Sequence, residues 1–435
     1  MRRSHLWVPA VAIGSILCWQ AAQSAPQEDK DVELYRLFVD AVEHIDRSYV
    51  KPVDRKQLVF AALGGMLDSL DPYSNFVPNE DRGQFDKQTI GHYGGVGIQV
   101  DVLSPGDVRV VSPMVGTPAY DAGILAGDRI LKVDGAPLDK GGMTDVIGRV
   151  SGLPDTPVTL TILHQPYEKN TPFDVKLMRR IINVESVRGL RRGAGDGWEY
   201  AADAARGIAY VWLTAFNQTS GDDLRKTLAE LKAKGQLQGL VLDLRYNPGG
   251  LLPVAIAVSD LFVKEGKIVS TKGRAATPER SFAASGKAPF ADLPMAVLVN
   301  HSSASAAEIV SACLQDHHRA AIVGERTWGK GSVQNVFDLD YGKSALKLTV
   351  ASYHRPSGKN IHRFPKDKDT DVWGVMPDDG AALSFAPAQH AAFFKWHGQA
   401  DLARGKGAAG AKPAEDFADP QLAKALEILR GRMKS

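Results

Sequence analysis

From about Asn183 to His397 short apolar runs alternate with helical ones, and no other pattern in the 435 residues limits the fold as tightly. Ile208 to Leu213 reads as a strand and Asp222 to Ala233 as a helix. Leu240 to Leu244, Met295 to Val299 and Ala320 to Val323 read as further strands, with helices at Leu252 to Phe262 and Ser305 to Leu314 between them. Repeated strand–helix–strand order predicts an α/β sheet with parallel, right-handed crossovers.

The rest of the chain has other periods. Over 30–90 the spacing of Leu34, Leu37, Phe38, Val42 and Ile45, then of Leu58 to Leu70, predicts a helical N-terminal region closed by the turn Asp71-Pro72-Tyr73-Ser74-Asn75. Over 91–182 short β-rich runs take over, at Val96 to Val100, Val108 to Val111, Thr159 to Leu163 and Val175 to Leu177. Inside this block stand Thr117-Pro118-Ala119-Tyr120-Asp121-Ala122-Gly123, Gly127-Asp128-Arg129-Ile130 and Val133-Asp134-Gly135, an order that resembles a PDZ domain. The α/β core spans 183–400 and is expected to hold a mixed sheet. Residues 401–435 supply a Gly-, Ala- and Lys-rich linker and a C-terminal amphipathic helix opened by Asp419-Pro420, with Leu422, Leu426 and Leu429 on one side. The expected fold class is therefore multidomain α/β.

The first 24 residues have the form of an export signal: Arg2 and Arg3, an apolar stretch from Leu6 to Cys18, then Ala22-Gln23-Ser24. About 13 apolar residues fall short of the roughly 20 that span a bilayer, although an uncleaved anchor reaching Ala22 stays open. A lipidated Cys18 is disfavoured because Leu17 stands where a small residue is expected. An exported, periplasmic protein is the expectation. The formal charge is +2, and loss of Arg2 and Arg3 would leave the chain near neutral, so nothing in its balance calls for nucleic acid. Only Cys313 would remain after processing, which excludes an intrachain disulfide, and its apolar neighbours Ile309, Val310 and Leu314 mark it as a buried small hydrophobe.

Three strand ends carry the chemistry. The strand ending at Val299 runs through Asn300-His301-Ser302-Ser303-Ala304-Ser305 into a helix, where free N–H groups favour developing negative charge. Ser305 is thus a candidate nucleophile, and Ser305-x-x-Glu308 is equally a capping box. After Asp243-Leu244-Arg245-Tyr246-Asn247-Pro248, the pair Gly249-Gly250 lets N–H groups turn toward one point as an oxyanion site requires, or forms an ordinary turn. Arg245 is expected to be a structural hydrogen-bonder. The third end, Gly324-Glu325-Arg326-Thr327-Trp328-Gly329-Lys330-Gly331-Ser332, nearly matches a phosphate-binding loop. Glycine replaces the magnesium-binding hydroxyl at 331, and Val333 to Leu339 alternates as a strand where a helix should start. A lysine between glycines, if buried, has its pKa lowered and becomes usable as a general base. His301, His317, His318 and His354 sit in no triad motif, no Gly-x-Ser-x-Gly surrounds Ser305, and no zinc-spaced His or Cys pair is present, so no metal is expected.

In this order the motifs resemble the carboxyl-terminal processing, or tail-specific, serine proteases of the S41 type. The likeness runs from about Leu37 to Pro377 and includes Pro356-Ser357-Gly358-Lys359 and Gly374-Val375-Met376-Pro377. The resemblance implies a serine endopeptidase core over 183–400 with Ser305 as nucleophile, Lys330 as base and Gln334 holding the lysine. It implies an oxyanion hole from the N–H groups of Gly249 or Gly250 with Ala306, and no cofactor. It also implies that Gly95, Val96, Gly97 and Ile98 grip the C-terminus of protein or peptide substrates with exposed apolar tails. The flanking helices are candidates for homo-oligomer contacts, and an activating adaptor is a candidate partner. A PDZ scaffold that holds tails without cutting them and a nucleotide-binding protein are the competing classes. The family usually has glycine at 302 and 155 and serine at 307, where this chain has Ser302, Asp155 and Ala307, and the stretch from His362 to Trp373 is longer and more charged than typical.

Overall fold

The computed structural model describes residues 27–82, 92–104, 106–138, 143–193, 196–274, 279–364, 366–400 and 417–433. The export-signal segment over 1–24 and the linker over 405–413 lie outside them. The chain divides into two units, Met1–Pro78 and Asn79–Ser435.

In the first unit the helical periodicity produces helices Gln27–Ser48 and Arg55–Asp68. The second starts where Asp54 caps it, its carboxylate accepting the Lys56 N–H at 2.8 Å. Asp71 then closes the turn by accepting N–H bonds from Tyr73 (2.7 Å) and Ser74 (2.8 Å). No described helix is long and apolar enough to cross a membrane.

The second unit begins with an antiparallel sheet built from strands Ile98–Ser104, Asp107–Pro113, Arg129–Val133, Pro157–Leu163 and Phe173–Met178, in that order. Every second residue of Pro157–Leu163 is buried, as a strand with one wet face requires. The first strand starts two residues later than its apolar pattern suggests, because Gly97 adopts φ +76 and breaks the extended run.

The following core is a six-stranded mixed sheet, as expected: four sequential parallel strands, β1 (Ile208–Leu213), β2 (Gly239–Asp243), β3 (Met295–Val299) and β4 (Ala321–Gly324), with Val187–Arg188 and Ala201–Asp203 pairing antiparallel to β1. Helices α1 (Ser220–Ala233), α2 (Leu252–Asp260) and α3 (Ala306–Asp316) connect them. Strand period 2 sorts the side chains to two faces. Leu240, Leu242, Val297 and Val299 pack with Leu224, Leu228, Val258 and Val310 of the connecting helices. Val241, Ala296 and Leu298 pack instead with Ala425 and Leu429. Those two belong to the C-terminal helix, numbered α5 (Pro420–Arg432) after α4 (Pro387–Ala400), a helix whose pattern the strand-based alternation does not predict. A second, antiparallel sheet carries Lys267–Gly273, Arg280–Ala283, Ser332–Leu339 and Ser344–His354.

Arg245, just past β2, ties α5 to this sheet. Its buried guanidinium donates to Asp243 (2.6 Å), Asp419 (2.7 Å) and Gln421 (2.9 Å), and the Tyr210 hydroxyl donates to Asp243 at 2.7 Å. Burial alone would lower the arginine's pKa, but the two carboxylates outweigh it and hold the group charged. Removing one partner of such a set leaves buried charge under-compensated. Asp419→Ala should therefore lower stability by about 3 kcal/mol, read from urea denaturation midpoints; a loss below about 1 kcal/mol would show that the network does not anchor the helix.

Candidate active site

Strand ends β2, β3 and β4 open onto one region, and short polar side chains stitch them together. Asn300 Oδ1 accepts the Tyr246 N–H at 2.9 Å, while Ser303 Oγ donates to the Leu244 carbonyl at 2.8 Å and accepts the Asn300 N–H at 2.9 Å. The Ala304 N–H reaches the Asn247 carbonyl at 2.9 Å, and the Trp328 N–H reaches that of Ser303 at 3.0 Å. Each loop is fixed by its neighbours.

Ser305 sits at the turn from this loop into α3 with φ 55 and ψ −113, outside the regions an L-residue favours. Such strain costs about 1–3 kcal/mol and persists only where surrounding bonds over-determine it. Those bonds come from Glu308, one turn into α3 and fully buried. Its Oε2 accepts the N–H of Ser305 at 2.9 Å and that of Lys330 at 2.8 Å. Its Oε1 accepts the N–H of Gly329 at 2.7 Å and the Thr327 hydroxyl at 2.6 Å. One carboxylate therefore joins the backbone of the candidate nucleophile to the backbone of the candidate base. The Lys330 side chain is half-buried. A Cβ added at Gly329 (φ +88) would lie 2.7 Å from Arg363 Cβ, and one at Gly331 2.3 Å from the His362 nitrogen. The glycines permit the close passage of 362–363.

At the β2 end, Asn247 Oδ1 accepts the Gly249 N–H at 2.8 Å and its Nδ2 donates to the Leu213 carbonyl at 2.7 Å. A Cβ on Gly249 (φ +99) would stand 2.7 Å from Ser305 Cβ, so this loop lies directly against the candidate nucleophile.

Residues 207–378 match the model of peptidase family S41, residues 109–163 that of a PDZ domain, and residues 17–81 that of an activating-protease CtpB N-terminal domain. A carboxy-terminal-processing protease of Bartonella bacilliformis is 37% identical over 401 residues, covering 91% of this chain and 88% of its own length. Carboxy-terminal processing protease CtpA of Bacillus subtilis is 34% identical over 340 residues, covering 78% and 68%. Among solved structures, the photosystem II D1 C-terminal processing protease is 30% identical, covering 80% of this chain and 92% of its own at a TM-score of 0.44. The chain belongs to the carboxy-terminal-processing proteases, serine peptidases of family S41.

The remaining candidate residues of this processing protease have partners of their own. Gln334, on strand Ser332–Leu339, donates through its side-chain amide to Ser332 Oγ at 2.8 Å and lies 3.3 Å from Thr349 Oγ1. Gly95 ends the strand His92–Gly95, which pairs with Arg180–Asn183, and Ile98 opens the first strand of the PDZ sheet; between them the carbonyls of Val96 and Gly97 accept the N–H groups of Ala119 (3.0 Å) and Met114 (2.9 Å). A Cβ on Gly97 would collide with Thr117 at 2.3 Å. His301 bonds Glu325 and His317 bonds the Lys267 carbonyl. The organising roles of Glu308, Thr327 and Asn247 were not legible as motifs; the available signal was a glutamate inside the otherwise apolar run Ala306-Ala307-Glu308-Ile309-Val310.

Burial drives the Glu308 pKa up from 4.5 to about 7, against the pull of its four donors. A carboxyl whose pKa is raised by folding contributes stability that is complete below the unfolded value and lost as pH climbs through the folded one. Glu308→Gln should remove this pH dependence between about 4.5 and 7. It should also lower kcat/KM by about 100-fold, because an amide NH2 replaces an acceptor facing two donors and loosens both loops. Wild-type activity in the Gln variant, or an unchanged stability–pH slope, would refute the positioning role.

Proposed function

We propose that this protease cuts peptide bonds with a Ser305–Lys330 dyad through an acyl-enzyme. Neutral Lys330 Nζ takes the Ser305 Oγ proton as Oγ attacks the scissile carbonyl carbon, and the resulting oxyanion is held by backbone N–H groups. The C–N bond then breaks and Lys330 returns the proton to the leaving amine. Water, deprotonated by Lys330 in turn, attacks the acyl carbon, the C–Oγ ester bond breaks, and Lys330 returns the proton to Ser305 Oγ. Gln334 orients the lysine, and no cofactor enters the cycle.

The observation that carries this reading is the single Glu308 oxygen shared by the Ser305 and Lys330 N–H groups, with Ser305 in a strained conformation at the front of α3. The Gly249 N–H is engaged by Asn247, which leaves those of Gly250 and Ala306 as the oxyanion donors. The nucleotide alternative loses its basis, since the N–H groups of Gly329 and Lys330 already serve an internal carboxylate. Ser305→Ala and Lys330→Ala should each reduce cleavage of an unfolded protein by at least about 10³-fold with unchanged far-UV circular dichroism. Retained turnover in either would remove the dyad, whereas no cleavage by the parent protein would favour a scaffold that binds tails without cutting.

Substrates are proposed to be proteins with exposed apolar C-termini, their carboxylate gripped by N–H groups of Gly95 to Ile98 as the tail adds to the sheet. The turned-in carbonyls of Val96 and Gly97 support this, because they leave the amide edge of the loop for the ligand. Residues 1–24 would export the chain to the periplasm, with 30–90, 91–182 and 183–400 as helical, PDZ and peptidase regions, and the helices over 30–90 available for self-association or an adaptor. A substrate with an amidated C-terminus should be cleaved about 10-fold more slowly than the free acid, as expected for losing one charge-assisted bond; equal rates would exclude tail capture.

A further inference from the structure

Outside the dyad, the described residues bring together one group of three His, Cys, Asp or Glu side chains whose donor atoms converge: His301, Glu325 and His390, with one ligand atom of each within 4.8 Å of the others. The three come from the loops after β3 and β4 and from α4, segments far apart in sequence. His301 Nδ1 lies 2.8 Å from Glu325 Oε2, and the His301 and His390 rings stand 5.3 Å apart between centroids. His301 is exposed while Glu325 and His390 are half-buried, so an ion has a route in from solvent and partly dry walls behind it.

Two further bonds give the cluster the outer support that metal sites show. Glu325 Oε1 accepts the Phe385 N–H at 2.8 Å, which fixes the carboxylate plane. The Tyr246 hydroxyl lies 2.6 Å from His390 Nδ1 and holds that ring's orientation. Two imidazoles and one carboxylate suit zinc and its neighbours, with a fourth position open to water. Bond lengths of about 2.0–2.2 Å require tetrahedral donors roughly 3.4 Å apart, so a bound ion draws the three side chains together from the separations they hold here.

We propose that His301, Glu325 and His390 form a binding site for a divalent transition-metal ion of the zinc type. A bound ion ties the ends of β3 and β4 to α4, and through Tyr246 to the end of β2. It thereby braces the loops leading to Ser305, Lys330 and Gly249 without touching them. The inference is independent of the dyad, and its test uses the full-length Ser305→Ala protein, so that failure of one leaves the other standing. After treatment with a chelator, that protein is titrated with Zn²⁺ by calorimetry and with Co²⁺ by visible absorption. One Zn²⁺ per chain and a Co²⁺ d–d band of tetrahedral intensity are expected. His301→Ala and His390→Ala should each weaken Zn²⁺ binding at least about 10-fold, whereas His317→Ala should not change it. His301 is solvent-facing, and circular dichroism confirms folding of each variant. No saturable binding by the parent, or equal affinity in all three histidine variants, overturns the site.

Discussion

A buried carboxylate with four donors around it fixes the rest of the site. Glu308 accepts from Ser305, Thr327, Gly329 and Lys330, and each oxygen serves two of them. Withdrawing a carboxylate from water is unfavourable by several kcal/mol, and only a full set of hydrogen bonds makes the ionised form tolerable. That requirement runs both ways. The loop over 327–330 must present its N–H groups inward to satisfy Glu308, and Ser305 must hold its strained backbone to aim its own N–H at the same oxygen. The likeness to a phosphate-binding loop follows from this. Glycine-rich backbone turned to present N–H groups to an anion is the same device in both cases, and here the anion is supplied by the protein.

The parallel sheet beneath depends on a second buried charge. Arg245 collects Asp243 from the strand below and Asp419 and Gln421 from α5, nearly 180 residues later in the chain. It immediately precedes Tyr246 and Asn247, whose side chains and backbone position the glycine pair beside Ser305. The C-terminal helix is therefore coupled to the candidate oxyanion loop through contiguous hydrogen bonds, as well as covering one face of the sheet with Ala425 and Leu429.

Much of this was legible from local pattern. The apolar runs at 208–213, 240–244 and 295–299 fall within a residue or two of β1 to β3, because strands buried on both faces read as continuous Val, Leu and Ile. Arg245 was expected to be structural and is. What sequence could not supply was convergence. Glu308 looks like half of a capping box because its partner Ser305 is three residues away, whereas its other three donors lie some twenty residues on, beyond β4. His301, Glu325 and His390 share no spacing that a metal motif would show, since three separate elements deliver them. Helix α4 was missed for a related reason. Its aromatic residues Phe393, Phe394 and Trp396 do not leave a clean apolar stripe, and their packing partners Trp212, Tyr246 and Phe417 come from elsewhere in the chain.

The departures from the usual family pattern test whether side chains or backbone set this geometry. Where the family usually has glycine, Ser302 is not among the residues with positive φ, and the conformation around it is held by Asn300 Oδ1, which accepts the Ser302 N–H at 3.2 Å. A side chain is tolerated because the backbone never needed glycine there. Asp155 is the opposite case: it adopts φ 62, so glycine is the least strained residue, and aspartate is among the few others that enter this region readily. Its N–H is fixed by the Arg179 carbonyl at 2.8 Å, and Arg179 in turn caps the same turn through the carbonyls of Val150 and Pro157. Ala307 is fully buried, and its methyl asks for no partner where a serine hydroxyl would need one. In each position the main-chain hydrogen bonds define the path and the side chain is whatever that path admits. The same rule explains why Ser305 can be strained: its conformation is dictated by the bond from its N–H to Glu308 and by the Gly249 backbone pressed against its Cβ, within a capping box that its own side chain completes with the Glu308 backbone.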